Sequence, residues 1–397
     1  MISSGGSAAI GIVFWVVAAR LYTPTVLGRT TAQLAAIVLL AALAQLSFGS
    51  IFERFLPVAG EYTKDFVRRA YLLCSVFGLL FGAAYIELGF SNSFLPRGFV
   101  WKAVFVVAID LWTIFALQDS VLIGLRSSKW VAVENISYGA VKLALLPAAL
   151  LVSSSQGILL SSIAPLVPTI LAVSWYLFHH RIPRHAAAKL STEPLPSTRN
   201  LVTLALAQYA SILSSVFLPS TVTLIVIQRL GPVANAHYYL PSIIALSLGM
   251  FTWNIVRSFL VEATSEPGEL RRHANSTIRA LAVVLVPSVL LGYIFAPTYL
   301  RLFGHSYATQ GTSLMRMMLI SLLGSTVMVF YSAFAWYDQK VWWMTVRNVA
   351  NSLLYLVLVY VLIAKHGINA IGIASLVTSG VTIVVFLPMA VRRYRRT

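Results

Sequence analysis

Two charged residues sit in the middle of long apolar stretches: Asp110, within FVWKAVFVVAIDLWTIFALQ, and Lys142, within ENISYGAVKLALLPAALL. An ionised side chain at the centre of a membrane helix costs roughly 2.5 to 3.5 kcal/mol on insertion scales, so such groups face a bundle interior or a hydrated path. The two are about equally far from the short turn near Arg126 to Lys129, so antiparallel helices would bring them to similar depth. Beyond that turn Glu134, Asn135, Tyr138 and Lys142 follow helical spacing and form one polar stripe. Before it, Asp110, Thr113 and Gln118 share a face with Asp119 at its edge. Two chemistries fit this pattern. In one, a cavity wall is formed where Lys142 attracts a phosphate and Asp110 tunes it or binds a coupling cation. In the other, Asp110 and Lys142 form an interhelical ion pair that locks the bundle.

A second set consists of Arg20, Arg54 and Arg257, each at the end of an apolar stretch rather than in a loop centre. Guanidinium groups suit a diphosphate because their fixed fork of donors makes paired, charge-assisted hydrogen bonds. The competing role is snorkelling, in which the aliphatic stem stays in the membrane and the charge reaches the interface. Arg316 and Arg347, near opposite ends of later stretches, are read as membrane anchors.

The elements that must position these residues are membrane helices. Of the 397 residues 58% are hydrophobic and only 10% charged, and the mean hydropathy is +0.83. Soluble domains carry roughly a quarter charged residues, so this composition excludes a soluble core. Stretches long enough to span a bilayer, roughly 20 apolar residues each, run at about 3–19, 31–51, 69–90, 102–123, 131–152, 158–178, 201–228, 236–259, 277–296, 314–335, 342–363 and 369–389. They are too long for barrel strands, and hydrocarbon leaves backbone groups to be satisfied within each helix, so the expected fold is an all-α polytopic membrane protein of about twelve helices. The first stretch has no basic region before it and no small-residue cleavage site after it, and is expected to remain as a span. Cys74, the single cysteine, lies mid-span and is expected to pack as a small apolar residue.

Basic residues alternate by loop. Twenty of the 29 Lys and Arg fall on one side, among them Arg68, Arg69, Arg271, Arg272 and the tail arginines from Arg392, against eight on the other. The positive-inside rule makes the richer side cytoplasmic and, with an even number of spans, places both termini there. The net charge of +17 is thereby accounted for by topology and anionic headgroups, with no nucleic-acid partner implied. The polar segment 179–200 divides the spans six and six, so the expected organisation is a lobe over 1–178, a cytoplasmic linker over 179–200 and a second lobe over 201–397 with a basic tail. ARLYTP with Gly28 at the first exit and QRLGP with Ala236 at the seventh form a faint internal echo. With an even number of spans per half, such a repeat is parallel. Prolines 219 and 241 are the best hinge candidates, and Trp130, Trp253 and their like near span ends read as an interfacial belt.

FWVVAARLYTPTVLG at Phe14 to Gly28, ERFLP at Glu53 to Pro57 and RLGPVANAHYYLPSIIA at Arg229 to Ala245 resemble the polysaccharide transporters, the Wzx-type flippases of the multidrug/oligosaccharidyl-lipid/polysaccharide (MOP) exporter superfamily. The resemblance implies two six-helix bundles that alternate access and carry an undecaprenyl-diphosphate-linked oligosaccharide outward across a bacterial cytoplasmic membrane. Partners would be that lipid-linked glycan, membrane lipids, and glycosyltransferases and a polysaccharide polymerase. It also implies cavity arginines at the approximate places of Arg20, Arg54 and Arg257, as in related lipid II flippases. The chain departs from the pattern in one respect: 201–228 carries no charge where relatives often have an acid.

No cofactor is expected. The driving force is left open between a coupling proton, a sodium ion and the membrane potential, which contributes about 2.3 kcal/mol per charge per 100 mV. No phosphate-binding GxxxxGK[ST] motif is present, so no ATP motor lies in the chain. His179, His180 and His185 lack acidic or cysteine neighbours for a metal. A membrane glycosyltransferase or polymerase would need catalytic residues in large outer loops. The longest outer loop here, 297–313, has no carboxylate. A multidrug exporter of the same superfamily remains the main alternative; an excess of 29 basic over 12 acidic residues favours an anionic cargo over an organic cation.

Overall fold

A computed structural model describes residues 2–187, 209, 216–265, 269–337 and 341–394, and all regular structure among them is helical. Ten helices among the described residues are long and apolar enough to cross a bilayer, and a shorter apolar segment, Ala9–Leu21, lies in the first helix. The chain is therefore an all-α polytopic membrane protein. It divides into two compact units, Met1–Ile227 and Gln228–Thr397. Of the linker expected at 179–200, residues 179–187 are helical and 188–200 lie outside the described residues, as does half of the stretch expected to span at 201–228.

In the first unit, α1 (Ile2–Leu21) ends at a two-residue connection whose Thr23 caps α2 (Pro24–Ala44). The Thr23 hydroxyl accepts from the Val26 N–H at 3.4 Å, and Pro24 occupies the first turn, where its missing donor costs nothing. This cap starts α2 seven residues before the apolar run expected at 31–51. The run ends early because Leu46 and Ser47 adopt positive φ, 48° and 65°, and turn the chain into the short helix α3 (Phe48–Phe55). Hydropathy alone marked neither boundary. Most of α2 is buried, and its polar side chains are satisfied inside the unit: the Gln33 amide donates to the Phe94 carbonyl at 3.1 Å and to Gln156 Oε1 at 3.2 Å.

Helix α4 (Thr63–Glu87) packs on α5 (Phe99–Gly124) through Gly78 and Gly82, with Gly78 facing the backbone of Asp110. Cys74 is fully buried among Phe52, Val67, Leu117 and their neighbours. The crossing of α3 and α5 is tight against backbone: a Cβ on Gly124 would lie 2.6 Å from the Phe52 carbonyl oxygen. A left-handed turn at Arg126 (φ 54°) leads into α6 (Ser128–Val152). The next apolar run is broken at Pro165 into α7 (Gly157–Ile163) and α8 (Leu166–Tyr176), followed by a π turn over Leu177–Arg181 and α9 (Ile182–Ala187).

The long helix α10 (Leu218–Ser265) leaves helical geometry at Gly231 (φ 83°, ψ 179°). The kink expected at Pro219 or Pro241 therefore falls between them, at a residue that adopts positive φ without a Cβ penalty and precedes a proline. The second unit continues with α11 (Leu270–Ile294), α12 (Ala296–Phe303), α13 (His305–Tyr337), α14 (Val341–His366) and α15 (Asn369–Tyr394). Small residues bring α13 and α15 together: Gly324 meets Ser379 and Gly372 meets Met317, as membrane helices pack where no hydrophobic drive separates lipid from protein.

Gly124→Val should lower stability in detergent by about 1 to 3 kcal/mol, because the new side chain meets backbone. Gly11→Ala, with nothing within 4 Å of its Cβ position, should leave the unfolding midpoint unchanged or higher. Thermal unfolding of the two variants checks both. Cys74 should resist a membrane-permeant maleimide in the folded protein and react once it is denatured, as mass spectrometry of the labelled chain will show.

Candidate functional site

The polar stripe of α6 exists, but its members turn to different partners as the helix rises. Near the turn, Asn135 Nδ2 donates to both oxygens of Asp119 on α5, at 3.1 and 3.2 Å. One turn on, the Tyr138 hydroxyl donates to the Ser162 carbonyl of α7 at 2.9 Å. Lys142 faces α1: its Nζ lies 3.8 Å from the centroid of the Phe14 ring and 5.8 Å from those of Trp15 and Tyr138.

The interhelical ion pair expected between Asp110 and Lys142 does not form. The salt bridges among the described residues are Arg272–Glu269 and His273–Glu262, both in the second unit. Asp110 instead points toward α4, with Oδ1 near Gly78, and that oxygen is buried without a hydrogen-bond partner. Equal distance from the turn does not make two residues meet, because crossing helices stay close only around their contact. Asp119 and Asn135 lie near the turn and meet. Asp110 and Lys142 lie about 20 to 24 Å beyond it; Tyr138 still packs there on Trp112 and Phe115 of α5, but the Lys142 side of α6 packs along α1, with Ile10 against Gly139.

Lys142 therefore sits in a half-buried aromatic setting made by two helices. The ring faces carry negative quadrupole charge and stabilise an ammonium in place of a carboxylate, by about 0.5 to 2 kcal/mol. No carboxylate among the described residues lies in ion-pair distance of it. The adjacent pair Phe14-Trp15 was the signal in the sequence; only the packing of α1 on α6 shows that it serves Lys142.

Arg20 lies exposed in the last turn of α1, about 7.5 Å along the axis from Trp15. Arg54 is exposed at the end of α3 with its guanidinium 5.4 Å from the Phe55 ring, and its neighbour Glu53 accepts from the Ser120 hydroxyl at 3.4 Å. Arg257 falls on α10, and its side chain lies outside the described residues. Arg316 donates to the Tyr293 carbonyl at 3.1 Å, with its guanidinium 5.0 Å from the centroid of the same residue's ring. Arg347 is 7% exposed, donates to Ser332 and Asn348 at 3.0 and 2.7 Å, and lies over the Phe386 ring. The anchor reading fails there because α13 and α15 cover that face of α14. His180 stacks on Tyr176 and His185 contacts the Leu56 carbonyl at 2.9 Å, so both are engaged in packing the end of the first unit.

Glu134 was read only as a member of the stripe. It is 3% exposed, neither carboxylate oxygen has a hydrogen-bond partner, and it lines a cavity between α5, α6 and α8. Its position one residue before Asn135 gave no sign that the bond to Asp119 would go to the amide.

No protein-family model and no curated protein sequence matches the chain. Solved structures match it along nearly its whole length. An inward-facing multidrug resistance MATE family transporter of the MOP superfamily superposes with a TM-score of 0.75 at 14% identity, over 98% of this chain and 95% of that one. An outward-facing MATE transporter gives 0.64 at 14% identity over 100% and 94%. A MOP superfamily transporter from Pyrococcus furiosus, whose binding pocket of reversed polarity suggests a different function for it, gives 0.66 at 14% identity over 100% and 93%. At these identities the likeness is one of fold, and it extends through both units: the helices that carry Lys142 and Glu134 are built into the fold of the MATE transporters of the MOP superfamily.

Proposed function

We propose that the chain is an alternating-access flippase that moves a lipid-linked oligosaccharide, joined through a diphosphate to a polyprenyl carrier, from the inner to the outer leaflet of a bacterial cytoplasmic membrane. The observation that carries this reading is Lys142: a mid-membrane ammonium held by aromatic rings, with no carboxylate in ion-pair distance among the described residues. A cation neutralised by a neighbouring acid would offer an anion little. One supported by ring faces can exchange part of that support for phosphate oxygens. Arg20, on the helix that supplies Phe14 and Trp15, extends the positive field toward the membrane surface, and Arg54 and Arg257 are further candidate contacts for the diphosphate.

In this reading both termini are cytoplasmic, residues 1–178 and 201–397 form the two lobes, and an interior-negative potential assists export of an anion. The coupling ion, if one is used, is a proton or sodium ion. Glycosyltransferases and a polymerase would supply and consume the cargo. The MATE fold is compatible with such a change of cargo, since the Pyrococcus furiosus relative has a pocket of reversed polarity.

A cation-coupled multidrug exporter is the second reading, favoured by the multidrug resistance transporters that share the fold and by the buried acids Asp110 and Glu134. Reconstitution into vesicles separates the two. Flipping of a fluorescent polyprenyl-diphosphate glycan should fall at least about tenfold in Lys142→Ala, a loss of about 1.4 kcal/mol of interaction, and recover partly in Lys142→Arg. Full flipping by a correctly folded Lys142→Ala sinks the assignment of Lys142. Ethidium efflux without any glycan flipping sinks the flippase reading in favour of the exporter.

A further inference from the structure

The first unit carries a cavity of about 330 Å³ between α5, α6 and α8, within the range of small-ligand sites, roughly 300 to 1,000 Å³. Its walls are apolar apart from Glu134 and a few hydroxyls, including those of Ser137 and Thr169. Thr169 is already committed, donating to the Pro165 carbonyl at 2.7 Å. The cavity opens among apolar side chains that face outward: Val133 and Val141 on its α6 wall are about half exposed, and Leu171 and Trp175 flank it on α8. On a membrane helix such residues meet acyl chains, so the entrance is lateral.

A buried carboxylate with both oxygens unpartnered is costly unless something neutralises it. No group among the described residues does so for Glu134. Asp119 lies near enough to add its own negative field, and the Asn135 amide that might have helped is bonded to Asp119. Side chains on a helix lean toward its N-terminus, which directs this carboxylate to the turn of Trp130. There the Trp130 ring packs on Tyr176 with centroids 4.4 Å apart, both lining the cavity. The cavity wall thus combines one carboxylate with two aromatic rings, a set that suits an ammonium.

We propose that the cavity binds the ammonium of an amine phospholipid headgroup taken sideways from the bilayer, with Glu134 as its counter-ion and the Trp130 and Tyr176 rings beside it. The site is separate from the Lys142 setting, because Glu134 and Lys142 are turned about 80° apart around α6 and about 12 Å along it. It stands whether or not the cargo is a lipid-linked glycan.

Native mass spectrometry of the full-length protein in detergent tests this, with phosphatidylethanolamine and phosphatidylglycerol added separately. The wild type should retain phosphatidylethanolamine about tenfold more strongly than phosphatidylglycerol, and Glu134→Gln should reduce that preference to near unity. Trp130→Leu, at a half-exposed position on the cavity wall, should weaken phosphatidylethanolamine retention severalfold and keeps the test open if Glu134→Gln does not fold. Unchanged retention in either folded variant, or equal retention of the two lipids by the wild type, overturns the proposal. So does dodecylamine bound as tightly as phosphatidylethanolamine, which would mark a general cation site. Infrared spectroscopy supplies the remaining check: a protonated carboxyl band, assigned by its loss in Glu134→Gln and persisting in the lipid-loaded protein, would mean that a proton and not the headgroup neutralises Glu134.

Discussion

The absence of water from the bilayer interior governs this molecule. Backbone groups there can be satisfied only within helices, and any polar side chain must find its partner inside the protein. Most of the chain obeys quietly: Thr113, Thr223, Thr378 and Ser332 return their hydroxyl protons to carbonyls one turn back. Gln33 and Gln118 reach across to neighbouring helices and tie them together. Among the buried atoms left without a partner are carboxylate oxygens of Asp110 and Glu134.

Helix α6 concentrates that remainder. Its polar residues share one stripe, yet the helix changes neighbours along its length, from α5 to α7 to α1, so each residue meets a different environment. Asn135 is consumed by Asp119, and Tyr138 is consumed by a backbone carbonyl. Glu134 is left without a donor beside an apolar cavity, and Lys142 is left without an acid among aromatic rings. One amphipathic pattern therefore produces two sites of opposite sign, because packing divides the stripe among three partners.

Backbone punctuation prepares these positions. The Thr23 cap and Pro24 fix the start of α2, Pro165 breaks the apolar run between α7 and α8, and Gly231 with Pro232 interrupts α10. The Pro165 break matters most for the first unit, because Pro165 and Pro168 themselves line the cavity at Glu134. Each break falls where a proline removes a donor or a glycine tolerates positive φ. Pro147, Pro241 and Pro287, by contrast, sit inside continuous helices.

Composition and hydropathy by themselves determined that the chain is helical and crosses a membrane many times, because length and apolarity of a stretch are local properties that hydrocarbon reads directly. They also exposed Asp110 and Lys142, since a charge in such a stretch is conspicuous without any structure. They did not determine what those charges touch. Depth from a turn is counted along one helix, whereas contact depends on the angle at which two helices cross, and that angle is set by small residues such as Gly78, Gly82 and Gly124 meeting on distant parts of the chain. Only the tertiary structure placed Lys142 on Phe14, turned Asp110 to α4, buried Arg347 and left Glu134 alone in its cavity, because each outcome depends on which neighbour packing brings within a few ångströms.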